Sequence, residues 1–456
     1  MQPHSRHLIF RSITGALLAL LLVPALHAQD DVANTARENY ENALASGLYE
    51  EAEVVAKVRL DQAIRAGQVK ELSTAELLND LADAQRLSAN YSSALQNYEL
   101  AIEIVEAQRD MLNMALIDPV LGIGKTHLES GRADLALDYL KRALHVRSVN
   151  EGPHTIEQAE ALELLALAYL QMEEFDDAAD AADRLYLIYY RNYPHNSLQL
   201  VPALVRKGQI LGLGGDRRSE RNTYNEAVQI ATRNDGEASE HLISPYISLG
   251  QSHQQEYFEK LVLAENEQEM PEQRLLGNAE TYLQKALEIS QSESISDWNK
   301  RVDALLAMAD FQTLNESHSQ ARVLYRDAWR ILSENPSGHK RRRFELEVAV
   351  PLLRPPIDLS VALPYEARAK PDEFDLKTGF ITAQYTITKR GRLTDFGLLE
   401  MQPRRFEVVE AEIKRGLIEY VYRPRFNGGF PAETPNEVLR FQFPYVEAVD
   451  ISTQAR

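Results

Sequence analysis

Small and apolar positions follow a helical period as far as Asn335 and a period of two from about Phe380, so the pattern alone predicts a helical array followed by a sheet-containing module. Within the array alanine returns at a fixed interval. Ala52, Ala94, Ala136 and Ala178 lie 42 residues apart, Glu220 takes the next place, and after a gap of 59 residues Ala279 and Ala321 resume the spacing. Each mark has a Gly, Ala or polar residue five before it, often an aromatic three before, a large residue four after and a small one seven after. Twelve residues before the mark stands another small residue, Ala82, Gly124, Ala166 and Gly208, and Gly250 takes that place before the insertion. Small residues let two helices approach closely, so each interval reads as a helix-turn-helix pair. A pair that cannot bury its own apolar face must stack on its neighbours.

Beyond the array, Asn335-Pro336-Ser337-Gly338 ends the helical period, and His339-Lys340-Arg341-Arg342-Arg343 opens a stretch punctuated by Pro351, Pro355, Pro356 and Pro364. Proline removes a donor and biases its predecessor toward extended backbone, so residues 336–362 read as a basic, extended linker. The basic run suits phosphate or an acidic partner. The plainer reading is that it solvates a boundary or pairs with the acidic array beside it. From Phe380 to Thr388 the residues Ile381, Ala383, Tyr385 and Ile387 alternate with Thr382, Gln384, Thr386 and Thr388, as in a half-buried strand. Lys389-Arg390-Gly391-Arg392 is its turn, Leu393–Leu399 a second strand, Phe406–Tyr420 a helix, and Val438–Phe443 a last strand. Together they form a small β-β-α-β module.

The array resembles the tetratricopeptide repeat (TPR) in the longer, kinesin-light-chain-like form, on the strength of Tyr139-Leu140-Lys141-Arg142-Ala143-Leu144 followed by Gly152-Pro153-His154-Thr155. The resemblance implies a right-handed α-solenoid of about seven units, departing at Glu220 and at 17 extra residues around Glu256–Gly277. The module resembles the C-terminal domain of TonB-type energy transducers. The matching residues are Leu363-Pro364-Tyr365, Ala367-Arg368-Ala369, Thr378-Gly379-Phe380, Gly391-Arg392 and Tyr420-Val421-Tyr422-Arg423-Pro424-Arg425-Phe426. Such domains pair an exposed strand with a segment of an outer-membrane transporter. Carried over, the contact strand would be Val438, Leu439, Arg440, Phe441, Gln442 and Phe443, adding a partner strand through main-chain hydrogen bonds. The fold expected is α plus α/β: solenoid 29–335, linker 336–362, TonB-like domain 363–446 and tail 447–456.

Residues 1–28 carry basic Arg6 and Arg11, an apolar run from Ile13 to Leu26 and Leu26-His27-Ala28 before acidic Asp30 and Asp31, the three-part pattern of a secretory signal cleaved after Ala28. The run is shorter than the roughly 20 apolar residues that span a bilayer. No later stretch reads as a span. The chain has no cysteine, hence no disulfide framework and no lipidated cysteine. These features place the protein in the periplasm of a Gram-negative bacterium. The formal net charge of −19 becomes −21 without Arg6 and Arg11, and about −23 of it falls on the array, because residues 357–456 are nearly neutral. Such a surface repels nucleic acid and anionic membranes and favours protein partners, although acidity also serves solubility alone.

Catalytic spacing is missing. The eleven histidines include no His-Glu-x-x-His, and no Gly-x-Ser-x-Gly elbow occurs. Leu211-Gly212-Leu213-Gly214-Gly215 lacks the Lys-Ser/Thr of a phosphate loop and reads as a hairpin turn. Asp176, Asp177 and Asp180 read as a solvated helix face. Tyr169, Tyr186, Tyr189 and Tyr190 read as packing between units, with a peptide groove as the alternative. No enzyme, cofactor or metal is expected. The expectation is an interaction scaffold: a groove lined by Asp83, Lys125, Leu167, Gln209 and Gln251, each just after the small residue of a first helix, holds a protein or peptide segment. The TonB-like domain docks to an envelope protein, with an outer-membrane transporter the candidate. The alternative is an energy-transduction component in which residues 1–28 stay as an anchor.

Overall fold

The computed structural model describes residues 34–264, 271–293, 295–404 and 406–446. The signal segment 1–28, the tail 447–456 and the middle of the insertion lie outside these residues. The chain divides into two compact units between Pro194 and His195.

The first unit is helical throughout: α1 (34–45), α2 (Tyr49–Arg65), α3 (Leu72–Leu87), α4 (Tyr91–Gln108), α5 (Ile117–Glu129), α6 (Ala133–Glu151), α7 (Ala159–Gln171) and α8 (Phe175–Asn192). These form four hairpins, and each first helix from α3 onward also packs on the next first helix, α3 on α5 and α5 on α7. The marked alanines sit where the sequence requires them, since Ala52, Ala94, Ala136 and Ala178 are buried. The second unit continues with α9 (Leu200–Leu213), α10 (Arg217–Asp235), α11 (Ile243–Leu263), α12 (Gln273–Ser290), α13 (Trp298–Leu314) and α14 (His318–Glu334), three hairpins in which α9 packs on α11 and α11 on α13. These are TPR-like hairpins.

Two repeating positions acquire a physical cause. In every repeat but the one interrupted by the insertion, the residue five before the mark is the left-handed turn residue of the hairpin: Gly47 (φ 70°), Ala89 (59°), Gly131 (73°), Glu173 (61°), Gly215 (85°) and Glu316 (61°). The small residue of the first helix, twelve before the mark or, for Gly250, 29 before it across the insertion, faces the large residue four after the mark. A Cβ on Gly124 would lie 2.7 Å from Leu140, on Gly208 2.3 Å from Tyr224, and on Gly250 2.6 Å from Leu283. Only a missing side chain permits that approach.

After α14 the second unit changes character. It contains α15 (His339–Glu345), β1 (Val350–Leu353), α16 (Tyr365–Ala369), β2 (Leu376–Ile387), β3 (Leu393–Gln402), α17 (Glu407–Ile418), β4 (Val421–Arg423), β5 (Arg425–Asn427), β6 (Phe430–Ala432) and β7 (Thr434–Val446). An antiparallel sheet in the order β3-β2-β7 has one face covered by α17, with Val409, Ile413 and Leu417 packed on Ile381, Tyr385, Ile387 and Phe443. The period-two reading of Phe380–Thr388 holds along β2, whose burial alternates from Gly379 to Ile387.

The expected extended linker is extended only in part. Its basic run forms α15, because Arg341 pairs with Asp303 on α13 (2.6 Å) and with Glu345 (3.0 Å), while Arg342 donates to Ser333 on α14 (2.8 Å) and lies 5.0 Å over the Trp329 ring. Those partners fix the backbone in a helix before the first proline. Val350–Leu353 then pairs antiparallel with β4, with an irregularity after Pro351 where the missing N–H interrupts the ladder.

Candidate protein-binding groove

The five groove positions divide between the two units. In the first, Asp83 lies on α3, Lys125 on α5 and Leu167 on α7, all half-buried. Two of them are engaged within the chain: Asp83 accepts from the Tyr98 hydroxyl (2.7 Å) and the Asn79 amide (3.1 Å), and Lys125 pairs with Glu160 on α7 (2.6 Å). The Tyr98 hydroxyl is pushed well above its ordinary pKa by burial and then by the neighbouring carboxylate, so it stays a donor.

In the second unit Gln209 on α9 and Gln251 on α11 are exposed. Both line a cavity of about 780 Å³ that runs over α9, α11 and α13 and ends at α15, β1 and β4. Val205, Ile247, Leu306 and Phe344 supply apolar wall. The wall's charges are mostly paired, Lys300 with Glu240 (3.0 Å) and Arg341 with Asp303. Gln209 accepts from Arg206 (3.2 Å), while Gln251 shows no hydrogen bond or ion pair among the described residues.

The same register continues to Asp310 on α13, which sequence reasoning passed over because the 59-residue gap hides it. Here the position is filled. Arg423 of β4 grips Asp310 through Nε (2.9 Å) and Nη2 (2.6 Å) and donates to the Glu345 carbonyl (2.9 Å). Tyr325 donates to Asp310 (2.7 Å), and its ring packs 5.3 Å from that of Phe426. Burial acts against the Arg423 charge, but Asp310 overrides it and raises its pKa, so the guanidinium stays charged. The aromatic-Arg-Pro block thus supplies the fastening of the sheet-containing region to the last hairpin.

The strand candidates Val438–Phe443 lie in β7, an edge of the sheet whose outer side has no strand partner among the described residues. Leu439, Phe441 and Phe443 face the α17 core, whereas Val438, Arg440 and Gln442 are exposed, with the Arg440 guanidinium 3.5 Å from the centre of the Phe380 ring. Of the remaining sequence candidates, Gly214 and Gly215 form the α9–α10 turn, Asp176, Asp177 and Asp180 are exposed on α8, and Tyr169 and Tyr189 pack on the first unit's core. Among the described residues no three His, Asp or Glu are grouped to hold a metal, and no helix is long and apolar enough to cross a membrane.

Residues 116–191, the hairpins α5/α6 and α7/α8, match the tetratricopeptide repeat family model, and these segments are TPRs. No curated protein matches the chain. Solved structures similar to it include a putative kinesin light chain of Podosopora anserina with nearly identical TPR-like repeats (12% identity, 44% of this chain and 94% of that one, TM-score 0.40). Others are BtubC (BKLC) of P. vanneervenii (16%, 50% and 92%, TM-score 0.39) and a tetratricopeptide repeat protein of Parabacteroides merdae (14%, 68% and 96%, TM-score 0.38).

Proposed function

We propose that the protein is a scaffold of the bacterial periplasm that holds a polypeptide partner on the first helices of its repeats and docks to an envelope protein through β7. The observation that carries the groove is the cavity over α9, α11 and α13, where Gln209 and Gln251 occupy the same repeat position on neighbouring helices and both are exposed. A concave wall of apolar side chains with a few polar groups suits a polypeptide segment. Docking rests on the free side of β7, which offers backbone donors and acceptors to a further strand. The TonB-like identity of residues 363–446, the cleaved signal at residues 1–28 and the address in the periplasm belong to this proposal and rest on the sequence pattern.

The first test is photo-crosslinking in cells from position 251, beside capture with a Gln209→Arg/Gln251→Arg variant. Asp83 and Lys125 are poorer probes because their internal partners make reversal a folding mutation. Losing two central contacts of more than ~1 kcal/mol each lowers partner recovery by at least tenfold. Recovery at the wild-type level, with the variant folded, removes the groove. Sequencing of the mature amino terminus checks the address: a start near Gln29 supports release into the periplasm, and an intact terminus points to an anchor.

A further inference from the structure

The position three residues beyond each groove residue is polar in repeats two, six and seven, whereas repeats three to five carry Leu128, Leu170 and Gly212 there. In repeat two it is Arg86, which interacts with the Tyr98 hydroxyl, and in repeat seven it is Thr313, whose hydroxyl lies 3.0 Å from that of Tyr325. In repeat six it is Gln254, on α11. The tyrosine that answers this position in the other two repeats is there Leu283, whose bulk fills the space left open by Gly250. Gln254 is 8% exposed, and its amide Nε2 has no hydrogen-bond partner among the described residues. A buried donor left unmet carries its full desolvation cost, so a group of this kind marks a place where something else belongs.

Gln254 lines a second cavity, of about 550 Å³. One wall is the carboxy-terminal part of α11, which at 21 residues outruns the 13 to 17 of α5, α7, α9 and α13 and presents Phe258, Val262 and Leu263. The facing wall is Leu314 with the Pro351–Pro356 stretch, which takes in all of β1 but its first residue. Val262 and Leu263 are 40% and 78% exposed, and among the described residues nothing covers them. Gln251 and Asp310 belong to the walls of both cavities, so the apolar pocket adjoins the larger groove.

We infer that this pocket is a binding site for an apolar peptide segment, one of whose backbone carbonyls accepts from Gln254 Nε2 while its side chains cover Val262 and Leu263. The inference rests on the groove reading and deepens it by naming the partner's chemistry. A peptide is favoured over a compact small molecule because the pocket opens into the neighbouring groove through shared residues, which suits a linear ligand. Every peptide unit also brings the acceptor that the unmet amide needs. The charged groups nearby are already engaged, Glu259 with Arg217 and Asp310 with Arg423, and Arg354 lies 5.0 Å over the Tyr422 ring. That leaves the stacked Arg354 as the one charge on this wall without an ionic partner among the described residues, and none that would hold the cation of a segment bearing both signs.

The test is ligand-detected NMR on the purified protein with three probes: acetyl-Gly-Leu-Val-Gly-amide, acetyl-Gly-Asp-Lys-Gly-amide and decanoate. The apolar peptide is expected to bind at millimolar concentration and the charged one to stay silent. Gln254→Leu should weaken binding about fivefold, the value of one neutral hydrogen bond, while raising the melting temperature because an unmet buried donor has gone. Leu263→Glu, at an exposed position where folding is untouched, should abolish binding. Absence of binding, equal binding of the two peptides, binding of decanoate alone, or wild-type affinity in Gln254→Leu overturns the inference. If it falls while crosslinks from position 251 still capture a partner, the groove stands without this pocket. If both fail, the groove reading falls too.

Discussion

Glu220 is where the repeat pattern breaks and where the structure explains the break. A carboxylate replaces the marked alanine, is buried, and receives Ser252 (2.8 Å), Arg217 (3.0 Å) and, more loosely, Tyr224 (3.4 Å). Its volume is accommodated by Gly212, where a Cβ would stand 2.5 Å from Glu220 Oε1. Gly212→Ala should therefore cost about 1–3 kcal/mol through overpacking, against the usual gain from alanine within a helix. In the Gly212→Ala/Glu220→Ala double variant, coupling of about 0.5–3 kcal/mol should return part of that loss. Urea midpoints of the four proteins decide the matter, and additive losses would mean that the two residues do not share the space. The sequence displayed both members, the glycine inside Leu211–Gly215 and the glutamate out of register, but not that they answer each other. Contact between side chains eight residues apart on two helices has no periodic signature.

At the scale of the element, the hairpins are tied by a ladder that the sequence announced and the alanine register overshadowed. Asn150, Asn192 and Asn234 also stand 42 residues apart, each near the carboxy end of a second helix. Each donates its amide to a carbonyl 38 residues earlier, in the loop before the first helix of its own hairpin: Leu112 (2.7 Å), His154 (2.7 Å) and Asn196 (2.8 Å). Gln108 does the same toward Lys70. Asn150→Ala or Asn234→Ala should cost about 0.5–1.5 kcal/mol each and speed amide exchange in the loop that loses its anchor. Unchanged exchange there would reduce the ladder to surface decoration. Helix existence and hairpin turns were legible because packing of near-identical units imposes a period. The basic helix α15 and the short strands β1, β4, β5 and β6 were not legible, because their form depends on single contacts such as Arg341 with Asp303.

At the scale of the whole molecule, the sheet-containing region is part of the second unit and is held to its last hairpin by a largely buried ion pair with aromatic cover and, at the surface, by Arg392 with Glu316 (2.7 Å). The Arg423 and Asp310 side chains are 10% and 17% exposed. Arg423→Ala strands the carboxylate and should cost about 3–5 kcal/mol, whereas replacing both charges by apolar residues should cost much less. Trp329 is the natural reporter, since Gly429 and the Arg342 guanidinium lie against its ring. Its emission should shift to the red in Arg423→Ala as the region lifts away, and an unshifted spectrum with unchanged stability would show that the ion pair is dispensable.

The Asp310 clasp also governs how such a chain can evolve in length. Duplicating or deleting a 42-residue cassette upstream leaves it intact, but a new copy appended after α14 would strand Arg423 from its acceptor and expose Tyr325. Descendants of this gene should therefore differ in the number of early copies while keeping the final one beside the sheet.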